Sequence, residues 1–177
     1  MSAQPNFDFQ PTLVGPTMSL RPLRADDLEA LHAAAADPLI WEQHPEPTRY
    51  QREVFERGFF SSALASGSSL VALENASGRL IGSSRYYEWD AASREVAIGF
   101  TFLARDHWGG STNGEMKRLM LDHAFRWARV VWLHVGANNL RSRKAAEKIG
   151  AKLSHIAPRT LGAGTIDYAY YTIEATS

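Results

Sequence analysis

The sequence predicts one mixed α/β domain, and three observations carry that expectation. The chain has 177 residues, within the roughly 100–200 of a typical single domain. Its segments alternate between period-two runs and runs with helical spacing, in the order β-α-α-β-β-β-α-β-α-β-β, without repeats, low complexity or an internal linker. The hydrophobic fraction of 45% and charged fraction of 21% are those of a globular chain with enough apolar residues to bury a core.

Residues 1–16 read as a Pro/Gly-marked arm, and the domain is expected over 17–177. Thr17 to Leu23 forms a first strand. Ala25-Asp26-Asp27 starts a helix that runs through the alanines to Ala36, and Pro38 ends it. Leu39 to Arg49, with Trp41, His44, Pro45 and Pro47, is an aromatic loop at a binding edge, followed by a second helix from about Thr48 to Leu64. Ser69–Leu73 and Leu80–Trp89 form a hairpin about the turn Asn75-Ala76-Ser77-Gly78. A strand from Glu95 to Leu103 leads into a glycine turn. The helix beyond the turn aligns Met116, Leu119, Met120, His123 and Trp127 on one face. Val130–Val135 is a short apolar strand, and a further helix runs from its cap Asn139 to Ile149, with Gly150 as the stop. Lys152–His155 and Ile166–Ile173 close the chain as strands.

Charge and composition exclude several classes. Nineteen basic and nineteen acidic residues balance, so neither nucleic acid nor an anionic membrane is expected as a partner. The absence of cysteine removes disulfides, thiol nucleophiles and thiolate metal sites, which suits a cytoplasmic location. The six histidines lack HExxH spacing, so no metal is expected. The N-terminus has neither the basic start of a signal peptide nor an apolar stretch long enough for an anchor.

The glycine turn is the first candidate site. Thr112 followed by Glu115 has the pattern of a capping box, which puts a helix N-terminus at the end of the turn. Unpartnered amides and the positive end of the helix dipole favour an anion there, and glycine lets backbone approach a phosphate closely. The candidate phosphate-binding residues are Trp108, Gly109, Gly110, Ser111, Thr112, Asn113 and Gly114. Gly109 and Gly114 have P-loop spacing, but Glu115-Met116 stands where a nucleoside triphosphate site needs Lys and Ser or Thr, and GxGxxG is absent. A purely structural turn is the alternative.

The stretch "NNLRSRKAAEKIGAKL" is similar to the N-x-x-S-x-x-x-x-x-K-x-G signature of the GNAT acetyltransferase superfamily, with Asn139, Ser142, Lys148 and Gly150 in register. With "IGFTFLARDHWGG", the chain resembles the RimJ/RimL-type branch. The turn motif Q/R-x-x-G-x-G/A falls on Trp108 to Asn113, where Trp108, Ser111 and Asn113 replace the usual Arg or Gln, Gly and Ala. The resemblance implies a mostly antiparallel sheet flanked by helices, whose central strand pair, about 95–103 and 130–135, splays apart to admit the pantetheine of acetyl-CoA. It implies acetyl transfer to a primary amine, on a protein N-terminus or a small molecule, by direct attack on the thioester. The coenzyme positions would be Phe102, Leu103, the turn, Asn139, Ser142 and Lys148; Asn139 also reads as a plain helix cap. Arg141, Arg143, Lys144 and Lys148 form a basic face for the 3′-phosphate or for solvent.

The tyrosine that many members use as general acid is replaced by Ala146. Ser142, one turn earlier, is the remaining candidate donor, with local hydrogen bonding as its alternative role. Glu95, on the same strand face as Ala97, is the candidate general base or else a solvated strand residue. Trp41, His44, Tyr86 and Trp89 are expected to form an aromatic slot for an apolar or cationic acceptor, unless they pack in the core. A non-catalytic acyl-CoA-binding module and a triphosphate binder are the competing functions, and a homodimer surface is left open.

Overall fold

The period-two segments pair into one sheet in the computed structural model, which describes residues 6–161 and 164–176. The first five residues of the expected arm, together with 162, 163 and 177, lie outside the described residues. The strands are β1 (Leu13–Val14), β2 (Met18–Pro22), β3 (Ser69–Glu74), β4 (Leu80–Asp90), β5 (Glu95–Leu103), β6 (Val130–Gly136), β7 (Lys152–Leu161) and β8 (Gly164–Glu174). Their order is β1-β2-β3-β4-β5-β6-β8-β7. Neighbours are antiparallel except β5 and β6. That pair is parallel because a helix, α4 (Thr112–Ala124), carries the chain from the end of β5 back to the start of β6.

The other helices are α1 (Leu28–Ala35), α2 (Arg52–Phe55), α3 (Ser61–Ser66) and α5 (Leu140–Lys148). A π-helical turn, Glu56–Phe60, joins α2 to α3, so the second expected helix is one irregular rod that starts four residues late. The last two strands are longer than their apolar cores suggest. Pro158 is tolerated inside β7 because β7 is the edge strand and needs hydrogen bonds on only one side.

Side chains alternate between two cores. Leu70, Ile81 and Leu103 join Met116 and Met120 of α4 and Ala146 of α5 in one cluster; Val71, Leu80 and Phe102 join Leu31, Phe55 and Phe59 in the other. Adjacent strand residues therefore serve opposite faces, with α4 and α5 over one and α1–α3 over the other. Phe7 brings residues of the expected arm into the first core, where it contacts Tyr86 and Trp127 with ring centres 5.0 and 5.4 Å apart. Among the described residues no helix is long and apolar enough to cross a membrane.

Candidate active site

β5 and β6 pair only at Glu95–Val130, Val96–Val131 and Ala97–Trp132. Beyond Ala97 the two parallel strands diverge, so among the described residues the peptide groups of β5 on that side lack a strand partner and can receive amides from an extended ligand. The wedge opens toward the glycine turn. There Gly109 has φ +75°, which a side chain would oppose, and a Cβ at Gly109, Gly110 or Gly114 would meet nothing within 4 Å. Helix α4 begins at Thr112 without a side-chain cap on Ser111, which leaves its first amides free. Glu115 does not cap Thr112 as the sequence pattern suggested. Its carboxylate accepts hydrogen bonds from the backbone N–H groups of Thr17 and Met18 and from the Thr17 hydroxyl, tying α4 to β2.

Trp108 closes the side of the turn. Its indole donates to Leu103 O at 3.0 Å, and the guanidinium groups of Arg105 and Arg141 lie 4.3 and 4.0 Å from its ring centre. Arg141 also donates to Ile40 O at 2.9 Å, so the residue joins α5, the turn and the loop after α1. Asn139 is buried and accepts from Ser142 N–H at 3.2 Å, which makes it the cap of α5 beside the wedge. Ser142 is half-buried in the first turn of that helix and Lys148 is exposed at its end. Phe102 and Leu103 are both buried, in opposite cores.

Ala97, Trp132 and His134 share the face of β5 and β6 opposite to Val96, Val131 and Leu133 of the α4 core. At its centre Tyr87 and Arg159 both approach His134 Nδ1, at 3.0 and 3.1 Å, and Arg159 also donates to Glu88 at 2.7 Å. Arginine can only donate, so Nδ1 must accept and the ring proton sits on Nε2. Burial and then the Arg159 charge push His134 down to about 4, so at neutral pH it is an uncharged donor. Tyr170 stacks on His155 with ring centres 4.5 Å apart and borders His134 at 4.7 Å. Glu88 and Phe100 flank this floor with φ of 53° and 52°, a left-handed conformation that a non-glycine side chain adopts only when its surroundings hold it there.

Two expectations change at this point. Tyr86 does not reach the cleft: it is 0% exposed, and its hydroxyl donates to Met120 O at 2.7 Å on the α4 face. Trp89 packs beside Phe7 on that same face, ring centres 5.2 Å apart. Strict alternation would separate residues 86 and 89, but the register shift between Tyr87 and Asp90 and the positive φ of Glu88 bring both to one face. The four-residue slot is thus divided by the sheet. Trp41 and His44 remain beside the cleft, Trp41 as a nearly buried wall whose indole donates to Ala35 O at 2.8 Å. Glu95 faces the cleft side at the paired end of the wedge, and its carboxylate accepts from the Trp132 indole at 2.7 Å.

The sequence reading missed Tyr87, His134 and Arg159. The available signal was a histidine inside the apolar strand VVWLHV, alternating with buried Leu133. It also missed Lys117, Arg49 and Arg85. Lys117 is buried on α4 and donates to the Thr101 hydroxyl at 2.6 Å, which in turn bonds Ser84 at 2.8 Å. Burial pushes its amine down to about 7. Arg85 is buried with its guanidinium 4.0 Å over the Phe100 ring, and Arg49 sits against Trp41 and Phe59, 5.4 Å from each ring centre.

Comparison with known proteins places this arrangement. No curated protein matches the sequence. Among solved structures, a GCN5-related N-acetyltransferase from Brucella melitensis superposes with a TM-score of 0.80 at 20% identity, covering 97% of this chain and 80% of that one. An acetyltransferase of the GNAT family from Bacillus anthracis gives 0.75 at 17% identity, covering 92% and 98%. A microcin self-immunity acetyltransferase in complex with acetyl-CoA and AMP gives 0.73 at 13%, covering 91% and 94%. The model of the acetyltransferase (GNAT) domain matches residues 17–152. That match spans the loop after α1, the wedge, the glycine turn and α5, and the chain accordingly belongs to the GNAT acetyltransferase family and is an N-acetyltransferase.

Proposed function

We propose that the chain is an acetyl-CoA-dependent enzyme that acetylates a primary amine, on a small molecule or a peptide N-terminus, by direct attack of the amine on the thioester, and that it works in the cytoplasm. The divergence of β5 from β6 immediately beside the uncapped amides of α4 carries this reading. The residues fit the coenzyme: the open edge of β5 suits the pantetheine amides, and the amides from Gly109 to Gly114 suit the pyrophosphate. Phe102, Leu103 and Trp108 would line the channel, with Asn139, Ser142 and Lys148 contributing from the α5 side. Bound acetyl-CoA supplies an acyl group already activated as a thioester.

The chain's own part is to position and deprotonate. Orientation of the two reactants supplies up to ~7–11 kcal/mol, and a placed acid or base adds about 10²–10⁴-fold. His134, neutral and protonated at Nε2, is a fixed donor on the face that carries Ala97. Glu95 is the proposed acceptor of the amine's proton, with its second oxygen anchored by Trp132. Ser142 is the proposed donor on the side of the departing thiol. Ala146 is buried, so the usual tyrosine acid has no substitute at its own position.

Thermal unfolding with acetyl-CoA, desulfo-CoA and ATP tests the coenzyme, since a ligand at 100 times its Kd adds about 2.7 kcal/mol. Stabilisation by the two CoA compounds alone is expected. An equal shift from ATP, or none from either CoA compound, sinks the reading. Glu95→Gln should lower kcat by about 10²-fold or more with acetyl-CoA affinity unchanged, in line with loss of a general base. An unchanged kcat removes Glu95 from that role.

A further inference from the structure

Resting on the reading of an amine acceptor, we propose that this acceptor also carries an oxyanion, a carboxylate or a phosphate, which Arg49 and Arg85 receive. Among the described residues neither guanidinium group is paired with a carboxylate: Arg49 meets apolar rings and a ring N–H, and Arg85 meets an apolar ring and neutral hydroxyls. Arg49 Nε is buried without a hydrogen-bond partner. Its Nη1 lies 3.3 Å from His44 Nε2, yet that contact is not a hydrogen bond. Glu46 N–H donates to His44 Nδ1 at 2.9 Å, so the neutral ring holds its proton on Nε2 and presents it to another donor. Burial and the Arg49 charge push His44 down to about 3, so the ring is neutral at physiological pH.

Arg85 meets only hydroxyls. Its Nε donates to Ser69 at 2.9 Å and its Nη1 approaches Ser62 at 3.4 Å. The carboxylate pairs among the described residues engage Arg21, Arg52, Arg79, Arg105, Arg141 and Arg159 and leave these two out. Glu46, whose charge acts on Arg49, hydrogen-bonds Thr48 N–H at 3.2 Å and forms no ion pair with the guanidinium. Burial, and then the neighbouring charge of Arg49, push Arg85 down to about 10. Burial likewise lowers Arg49. Both remain charged at neutral pH, because a guanidinium does not release its proton there.

Arg49 lies against Phe59 and Arg85 reaches Ser62, three residues further along the same helical rod, and two like charges so placed without an anion are a cost in the free protein. An oxyanion placed between them would satisfy Arg49 Nε, His44 Nε2–H and the guanidinium forks with charge-assisted hydrogen bonds. The position points to the acceptor and away from the coenzyme. The Phe100 ring beneath Arg85 meets the Tyr87 ring at 5.2 Å, and Tyr87 holds His134. The glycine turn, by contrast, lies beyond the end of β5.

The test has two arms. In the first, amino acids are compared with their amides and decarboxylated amines, and ethanolamine with O-phosphoethanolamine, as acceptors. Oxyanion-bearing amines should exceed their neutral counterparts in kcat/KM by at least about 100-fold, a preference that Arg49→Gln and Arg85→Gln each reduce to about 10-fold or less while calorimetric acetyl-CoA affinity stays within about twofold. In the second, which needs no turnover, acetate and inorganic phosphate are titrated against chloride at constant ionic strength while thermal unfolding is followed. The wild type should gain Tm from acetate if the group is a carboxylate, or from phosphate if it is a phosphate, and both glutamine variants should lose that gain. Neutral amines used as well as acids, no oxyanion-specific gain in Tm, or loss of acetyl-CoA binding in the glutamine variants would each overturn the proposal. Failure of the wild type to bind acetyl-CoA would instead strike the acetyltransferase reading and leave the second arm to decide the anion site.

Discussion

The rim around α1 and the cleft beside the 41–50 loop both hold several cations, and they treat them oppositely. At the rim Arg21 pairs with Asp27 at 2.8 Å, Arg79 with Asp106 at 2.7 Å and Arg105 with Asp37 at 3.6 Å. Among the described residues Arg49 and Arg85 of the cleft pair with no carboxylate, and beneath the sheet Lys117 has only the Thr101 hydroxyl. The rim's charges are neutralised within the chain. The cleft's charges are not, and the two chemistries available there differ: an unpaired lysine can shed its proton, whereas an unpaired arginine must wait for an anion.

The largest effect expected from this contrast is at Lys117. Its folded value of about 7 lies below the ordinary 10.5, so unfolding takes up a proton between those values and the wild type gains stability as pH rises through that window. The slope approaches about 1.4 kcal/mol per pH unit. Lys117→Met should be more stable than wild type at pH 6, with the difference narrowing steadily above pH 7 in urea unfolding. Parallel curves across that range would mean that the amine stays charged.

Arg21→Met should come next, with a loss of about 1–3 kcal/mol at pH 7, because Asp27 is sheltered and loses its charged donor. Burial raises the Asp27 carboxyl, but the hydrogen bonds from Arg21 and the Arg24 N–H, together with both charges, outweigh it and hold the group below its ordinary 3.8. The stability linked to it is present above that value and is lost as pH falls through the lower folded one. The penalty of Arg21→Met should therefore shrink in strong acid, and a penalty independent of pH would reassign it to packing.

Arg49→Met should behave in the opposite sense. In buffer without oxyanions it should hold or raise stability, by up to about 1 kcal/mol, since a buried charge without a partner is removed and Trp41 and Phe59 gain an apolar neighbour. A clear loss would show that the free protein relies on the guanidinium and would erase the contrast with Arg21. Arg79→Met is the smallest change, about 0.5 kcal/mol or less, because both members of its pair are at least half exposed to water. A larger shift there would imply that the rim pairs act as a network.

Much of the fold was legible because its signals are local. The period-two run Glu95–Leu103 matches β5 to the residue, and Asn139 caps α5 as its side chain and position require. The glycine turn also lies where the spacing put it, and a positive φ at Gly109 explains one of its glycines. The site was legible only on that side. Tyr86 and Tyr87 look alike in sequence, yet one is in the core against Met120 and the other holds His134. The distinction depends on the irregular pairing of β4 with β5, which no local pattern shows. Glu115 likewise matched a capping box but found better donors 98 and 97 residues away, at Thr17 and Met18.

By itself, then, the sequence determined the order of strands and helices from β2 onward, the position of the glycine turn before α4 and the neutral overall charge, while the short strand β1 inside the expected arm escaped it, since periodicity, turn residues and composition act over a few residues. Only the tertiary structure decided where β5 leaves β6, which tyrosine faces the cleft and which arginines find carboxylates. Those outcomes rest on contacts between segments far apart in the chain, where bulges set the facing of side chains and burial decides whether a charge has a partner.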